Sequence, residues 1–169
     1  MVLSHRMRSS VRRTALTVLK TTGAFRLVQD SDWRRRRLSI LCYHGISLDD
    51  EHEWRPYLFL RPQQLEHRLA LLRRGNYAVL PLGEALERLY RNDLPERSVA
   101  LTFDDGTYDF YSQAYPRLKQ AGFPVTVYLT TYYSQLQLPV FSLISSYLMW
   151  KARGQGTVDL KELGVRQAV

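Results

Sequence analysis

Apolar and polar positions along this chain follow two periods that take turns. Leu38-Ser-Ile-Leu-Cys-Tyr43 is a compact apolar run of the kind that forms a strand buried on both faces, and His44-Gly45 closes it. A polar, acidic loop follows over residues 47–53, carrying Asp49, Asp50 and Glu51. Pro62 then opens a helix with Leu65, Leu69 and Leu72 on one face, and Gly75 stops it. Tyr77 to Leu80 reads as a second strand, and Leu82, Leu86 and Leu89 mark a short amphipathic helix. Ser98 to Phe103 is a third strand. A helix to about Gly122 comes next, with Phe110, Ala114, Leu118 and Ala121 facing inward and Pro116 in its first turn or at a kink. Phe123 to Leu129, rich in β-branched and aromatic residues, is a fourth strand. Beyond Thr131 the periodicity weakens: Phe141 to Trp150 is an apolar helix, and the tail from Lys151 shows no clear element.

Strands alternating with helices at this spacing predict right-handed βαβ units and a parallel sheet or barrel, an α/β fold. A (β/α) barrel takes about 200 residues or more, and four strands do not close one. The expectation is therefore an incomplete (β/α) barrel over residues 38–169, truncated before its last strands, behind a basic, helical N-terminal arm at residues 1–37.

Charge sharpens that division. The net charge of +8 sits in residues 1–37, which hold ten Lys and Arg against Asp30 and Asp32, whereas residues 38–169 balance fourteen basic with fourteen acidic side chains. Arg12-Arg13 and Arg34-Arg35-Arg36-Arg37 invite a nucleic-acid reading. Only Phe25 and Trp33 interleave with these charges as stacking groups, so nucleic acid is the less favoured partner. A solvated extension that can touch anionic membrane headgroups fits the pattern better. The first 29 residues contain no acid, and Val11, Ala15, Val18 and Leu19 fall at helical spacing; an organellar presequence and an amphipathic surface helix both have this composition. Lys20 interrupts the apolar stretch too early for a secretory signal, and no run nears the roughly 18 apolar residues that span a bilayer. A cytoplasmic or membrane-peripheral location is expected. The single cysteine, Cys42, excludes an intrachain disulfide and reads as a small buried hydrophobe.

The chemistry concentrates in Val99-Ala-Leu-Thr-Phe-Asp-Asp-Gly106. Parallel α/β folds place active-site groups at the carboxyl ends of strands, and Asp104 and Asp105 stand there. Side chains of adjacent residues point in different directions, so one carboxylate can bind a cation while the other moves a proton. Gly106 lets the chain turn. The bland alternative is a polar turn capping a helix. His44, at the end of the first strand, is placed to face the same mouth, with Tyr43 and Thr102 as further lining; a structural histidine is the simpler reading. Asp104, Asp105 and Asp109 lack the alternating oxygen ligands of a calcium loop.

Thr102-Phe-Asp-Asp-Gly106, with Ile40-Leu-Cys-Tyr-His-Gly-Ile46 upstream and Phe59–Leu65, Arg73–Tyr77 and Gly122–Leu129 around it, resembles the polysaccharide deacetylases of the NodB-homology (carbohydrate esterase 4) family over roughly residues 38–131. The resemblance implies a distorted (β/α) barrel that hydrolyses N-acetyl groups from an N-acetylated polysaccharide. It implies Asp105 as a ligand of a divalent metal, commonly zinc, and Asp104 as the general base. The family's remaining ligands, in a His-x-x-x-His motif, and its later histidine acid have no counterpart, because no histidine follows His67. The chain alone is therefore expected to be inactive. A non-catalytic glycan- or partner-binding derivative and a basic-arm binder of membrane or nucleic acid are the alternatives.

Overall fold

A computed structural model of the chain describes residues 14–24, 27, 31 and 37–155. Most of the basic arm, including Arg12, Arg13 and Arg34 to Arg36, and the tail from Gly156 lie outside the described residues. The elements are α1 (residues 14–21), β1 (Ser39–Tyr43), β2 (Gly45–Ile46), α2 (Glu51–Trp54), β3 (Phe59–Leu60), α3 (Pro62–Arg74), β4 (Ala78–Val79), α4 (Leu82–Tyr90), β5 (Ser98–Asp105), α5 (Tyr115–Ala121), β6 (Thr126–Leu129), α6 (Thr131–Leu136) and α7 (Phe141–Lys151). A π-helical turn, Phe110–Ala114, leads into α5. There the Tyr115 N–H reaches back to the Phe110 carbonyl, and Pro116, lacking an N–H, sits in the first turn of the α-helix, where no donor is needed.

The chain divides into two compact units that interleave in sequence. One holds the chain up to Cys42, His67–Thr102 and Leu118–Thr126; the other holds Tyr43–Glu66, Phe103–Arg117 and the chain from Val127.

In the first unit, β5 lies between β1 and β4. β4 and β5 run parallel, with Ala78 opposite Ser98 and Val79 opposite Val99. Val99, Ala100, Leu101 and Thr102 are all buried, as an unbroken apolar run covered on both faces requires. Leu69, Leu72, Ala85 and Leu118 pack as the inward stripes of their helices. Arg73 donates to the Ala121 carbonyl at 2.6 Å, tying the end of α3 to the end of α5. Cys42 departs from expectation: it is exposed, and so is Ile40. The apolar run in β1 suggested two covered faces, but its alternation covers the side of Tyr43 and leaves the other open.

In the second unit the core is aromatic. The Phe103 ring, fully buried, meets Tyr43 at 5.2 Å and Phe110 at 5.0 Å between centroids. β2 pairs in parallel with β3, with Gly45 opposite Phe59. A Cβ on Gly45 would lie 2.3 Å from the Phe59 ring, so the close approach needs glycine. This two-stranded pair, α2 and α6 left no periodic signal strong enough to predict. The same unit holds a buried carboxylate: Asp109 Oδ2 accepts a hydrogen bond from the Ile46 N–H at 2.6 Å. Burial pushes the Asp109 pKa up, against the opposing pull of hydrogen bonds from Thr107 and Ile46, and nearby Glu51 adds to the rise.

The tip of β5 closes with two successive left-handed residues, Asp105 at φ 72° and Gly106 at φ 64°. Aspartate tolerates this region better than most residues, and glycine adopts it freely.

Three outcomes are expected. Asp109→Ala strands the buried Ile46 N–H and lowers stability by about 1–3 kcal/mol in urea unfolding. A folded-state carboxyl with a raised pKa holds its proton more tightly than the unfolded chain does. Its contribution is therefore most favourable at pH below the ordinary carboxylate range and is lost as pH rises through the raised value. Asp109→Asn keeps an acceptor oxygen and abolishes that loss, so the stability of the variant relative to the parent climbs across this window. Gly106→Ala places a Cβ 2.6 Å from Leu129 Cδ1 on left-handed backbone and costs about 1–3 kcal/mol in the same assay.

Candidate active site

A cavity of about 560 Å³ opens in the second unit, lined in part by His44, Arg55, Asp105, Thr130, Tyr133 and the chain at 138–143. Every residue lining it belongs to that unit.

His44 and Asp105 reach it for local reasons, and Asp104, which is not among the lining residues, stands beside them. His44 is the single residue between β1 and β2, held there by the Gly45 N–H bond to the Leu58 carbonyl at 3.1 Å and by the Asp109 bond to Ile46. Asp104 and Asp105 are the last residues of β5, carried clear of the core by the buried Phe103. Their carboxylates diverge. Asp104 Oδ2 lies 3.5 Å from His44 Nε2, with both side chains a third to two-fifths exposed. Asp105 lines the cavity, and its Oδ1 accepts a hydrogen bond of 3.3 Å from Thr130 Oγ1. The backbone repeats the tie: the Thr130 N–H donates to the Asp105 carbonyl at 3.4 Å. The backbone at Asp105 is left-handed, with φ 72°, where the strand ends.

One wall of the cavity is the start of α7. Its far end is anchored by an ionic cluster on the acidic loop. Lys151 Nζ lies 2.6 Å from Asp50 Oδ2 and 3.3 Å from Asp49 Oδ2, and the Tyr147 hydroxyl donates to Asp50 Oδ1. Lys151 holds the Asp50 pKa below the usual carboxylate range, and Tyr147 assists. Desolvation, with the Asp50 hydrogen bond next, pushes Tyr147 up to about 12. The Trp54 and Tyr147 rings meet at 5.3 Å, so the loop and helix are joined by apolar as well as ionic contact.

The structure thus brings His44 together with Asp104, sets Asp105 and Gly106 in the cavity lining, and buries Tyr43 and Thr102, which are not among the lining residues. Tyr43 faces the Phe103 ring because the period of two turns it to the core side of β1. Three contributors escaped the sequence reading. Arg55 and Tyr133 come from irregular or weakly periodic segments. Asp109 was visible only as a third acid in a discarded calcium pattern; the one hint of its role was its position just ahead of the apolar helix stripe.

Residues 91–146 match the family model described as Polysaccharide deacetylase. YxkH of Bacillus subtilis, assigned by name to the polysaccharide deacetylases, is 34% identical over 94 residues, which are 55% of this chain and 32% of that protein. The Escherichia coli protein named poly-beta-1,6-N-acetyl-D-glucosamine N-deacetylase is 28% identical over 100 residues, 58% of this chain and 14% of that one. Among solved structures, the Streptococcus pyogenes deacetylase PplD, in complex with acetate, superposes with a TM-score of 0.54 at 31% identity, covering 60% of this chain and 46% of its own. The chain therefore spans about a third or less of the curated relatives it matches. Over the part of its length that these matches cover, the chain is similar to polysaccharide deacetylases.

Proposed function

We propose that this chain supplies part of the site of a hydrolase that removes N-acetyl groups from an amino-sugar polymer, on a sheet that belongs to a (β/α) barrel. The observation that carries the reading is the pair of diverging carboxylates at the tip of β5, one beside an imidazole and one in a cavity wall. Amide hydrolysis needs a group that takes a proton from the attacking water, and a positioned carboxylate does this. Asp104 has that role, with His44 beside it to share the proton and fix the orientation of the carboxylate. Asp105 is assigned to a divalent metal, zinc by family, and Thr130 holds its side chain in place. Arg55 and Tyr133 present a cation and a phenol to the hydroxyls and acetamide of a sugar.

The donor set on these residues does not match the one carboxylate and two imidazoles that the resemblance implies, because no histidine follows His67. Catalytic zinc takes three protein ligands as a rule. The same cavity without a complete ligand set is also what a non-catalytic glycan binder would keep, and measuring substrate binding apart from turnover separates the two.

In calorimetry, N-acetylglucosamine oligomers bind the 169-residue chain and glucose oligomers of equal length, which lack the acetamide, do not. Equal binding of the two would remove the amino-sugar reading. Tyr133→Ala weakens the N-acetylated ligand by about three- to tenfold, the worth of one aromatic contact. With zinc supplied, these residues alone release no acetate above background, and they bind zinc weakly; tight one-to-one zinc binding would contradict the incomplete ligand set.

A further inference from the structure

We infer that Arg55 selects a polymer whose sugars carry an anionic group, a carboxylate or a phosphate, by pairing its guanidinium with that group at the wall of the cavity. The inference deepens the amino-sugar reading of this site and rests on it. Arg55 is the lone lysine or arginine among the described residues that line the cavity. Much of the remaining lining is apolar, through Leu58, Phe59, Leu138, Val140 and Leu143.

Arg55 is held at both ends. Its backbone caps the C-terminal end of α2: its N–H donates to the Glu51 carbonyl at 2.9 Å, and its own carbonyl accepts from the Leu58 and Phe59 N–H groups, each at 2.9 Å. Its guanidinium carbon lies 4.3 Å from the centre of the Trp54 ring. That ring is braced in turn by Tyr147 at 5.3 Å and Phe59 at 6.1 Å between centroids. Contact with an aromatic face positions the guanidinium and leaves its charge unneutralised.

The missing partner names the ligand. Among the described residues, the Arg55 side chain makes no hydrogen bond and no ion pair, whereas Arg88 pairs with Glu84 and Arg117 with Glu66, each at 2.8 Å. Asp105, the single acid among the described lining residues, takes its side-chain hydrogen bond from Thr130 instead. A half-buried cation beside apolar walls is unfavourable without a counter-ion. The planar fork of a guanidinium matches two oxygens of one carboxylate or phosphate. A neutral sugar offers hydroxyls to that fork and leaves the charge uncompensated.

The test is calorimetry of the full chain with two matched pairs of oligomers of equal length. One pair is alternating N-acetylglucosamine and glucuronate, and the same oligomer with its carboxylates reduced to hydroxymethyl groups. The other is an N-acetylglucosamine oligomer with and without phosphate on O6. In at least one pair the charged member is expected to bind about tenfold or more tighter than its neutral match, with an advantage that shrinks as salt rises. The pair that shows the advantage identifies the anion as carboxylate or phosphate. Arg55→Gln erases the advantage, so that charged and neutral members bind alike, and Arg55→Lys, which keeps the charge without the fork, retains part of it. An unchanged urea midpoint verifies that each variant is folded. No preference for charge in either pair overturns the inference whatever the variants do, and so does an advantage that survives Arg55→Gln. Failure of the amino-sugar reading shows separately, as equal binding of uncharged N-acetylglucosamine and glucose oligomers, and it takes this inference with it.

Discussion

Burial of β5 on both faces is the constraint on which the rest of the structure depends. A strand covered on both sides is held in place by close packing on each face, which a shift along the strand would disrupt. Val99, Leu101 and Phe103 are each within a hundredth of fully buried, and each such side chain contributes about 1.5–3 kcal/mol relative to exposure. The position of the strand tip is therefore set by the core. Asp104 and Asp105 stand where the apolar run stops.

Fixing a strand tip places one side of a site, and the other side needs a separate device. Here it is Asp109, three residues beyond Gly106, whose buried carboxylate takes the Ile46 N–H across 63 residues of chain. That bond holds β2, and with it the turn on which His44 stands. A neutral acceptor would do the same work without the cost of burying charge, which the raised pKa of Asp109 reflects. Asp109 also gathers Thr107, so a single side chain joins the loop after β5 to the strand after β1.

What could be read from the sequence follows from this division. Elements that carry a clear apolar stripe or run were legible: β1, α3, α4, β5 and α5 stand where their apolar residues placed them. The twin acids were legible because a buried apolar run seldom ends in two charges unless its tip opens on solvent or a site. The β2–β3 pair was not, since two residues cannot display a period and their pairing depends on the Gly45–Phe59 approach, which is a long-range fact. The same holds for Asp109, which looks like any loop acid until its partner 63 residues away is known. Cys42 failed for the opposite reason. Its neighbours are uniformly apolar, and composition alone does not say which faces of a strand are covered.

The left-handed backbone at Asp105 links the fold to the proposed chemistry. Had β5 continued in extended form, the period of two would have put Asp105 on the face opposite Asp104 and directed it along the sheet normal. Two successive residues at positive φ instead rotate the peptide plane, and Gly106 donates its N–H back to the Asp104 carbonyl at 2.9 Å. The strain of a left-handed non-glycine residue is of order 1 kcal/mol or more and persists only where surrounding contacts enforce it. Both Thr130 contacts fall on Asp105, one on its carbonyl and one on its carboxylate. The residue under strain is therefore the one held at both ends, which is the arrangement expected where the direction of a carboxylate matters more than its comfort.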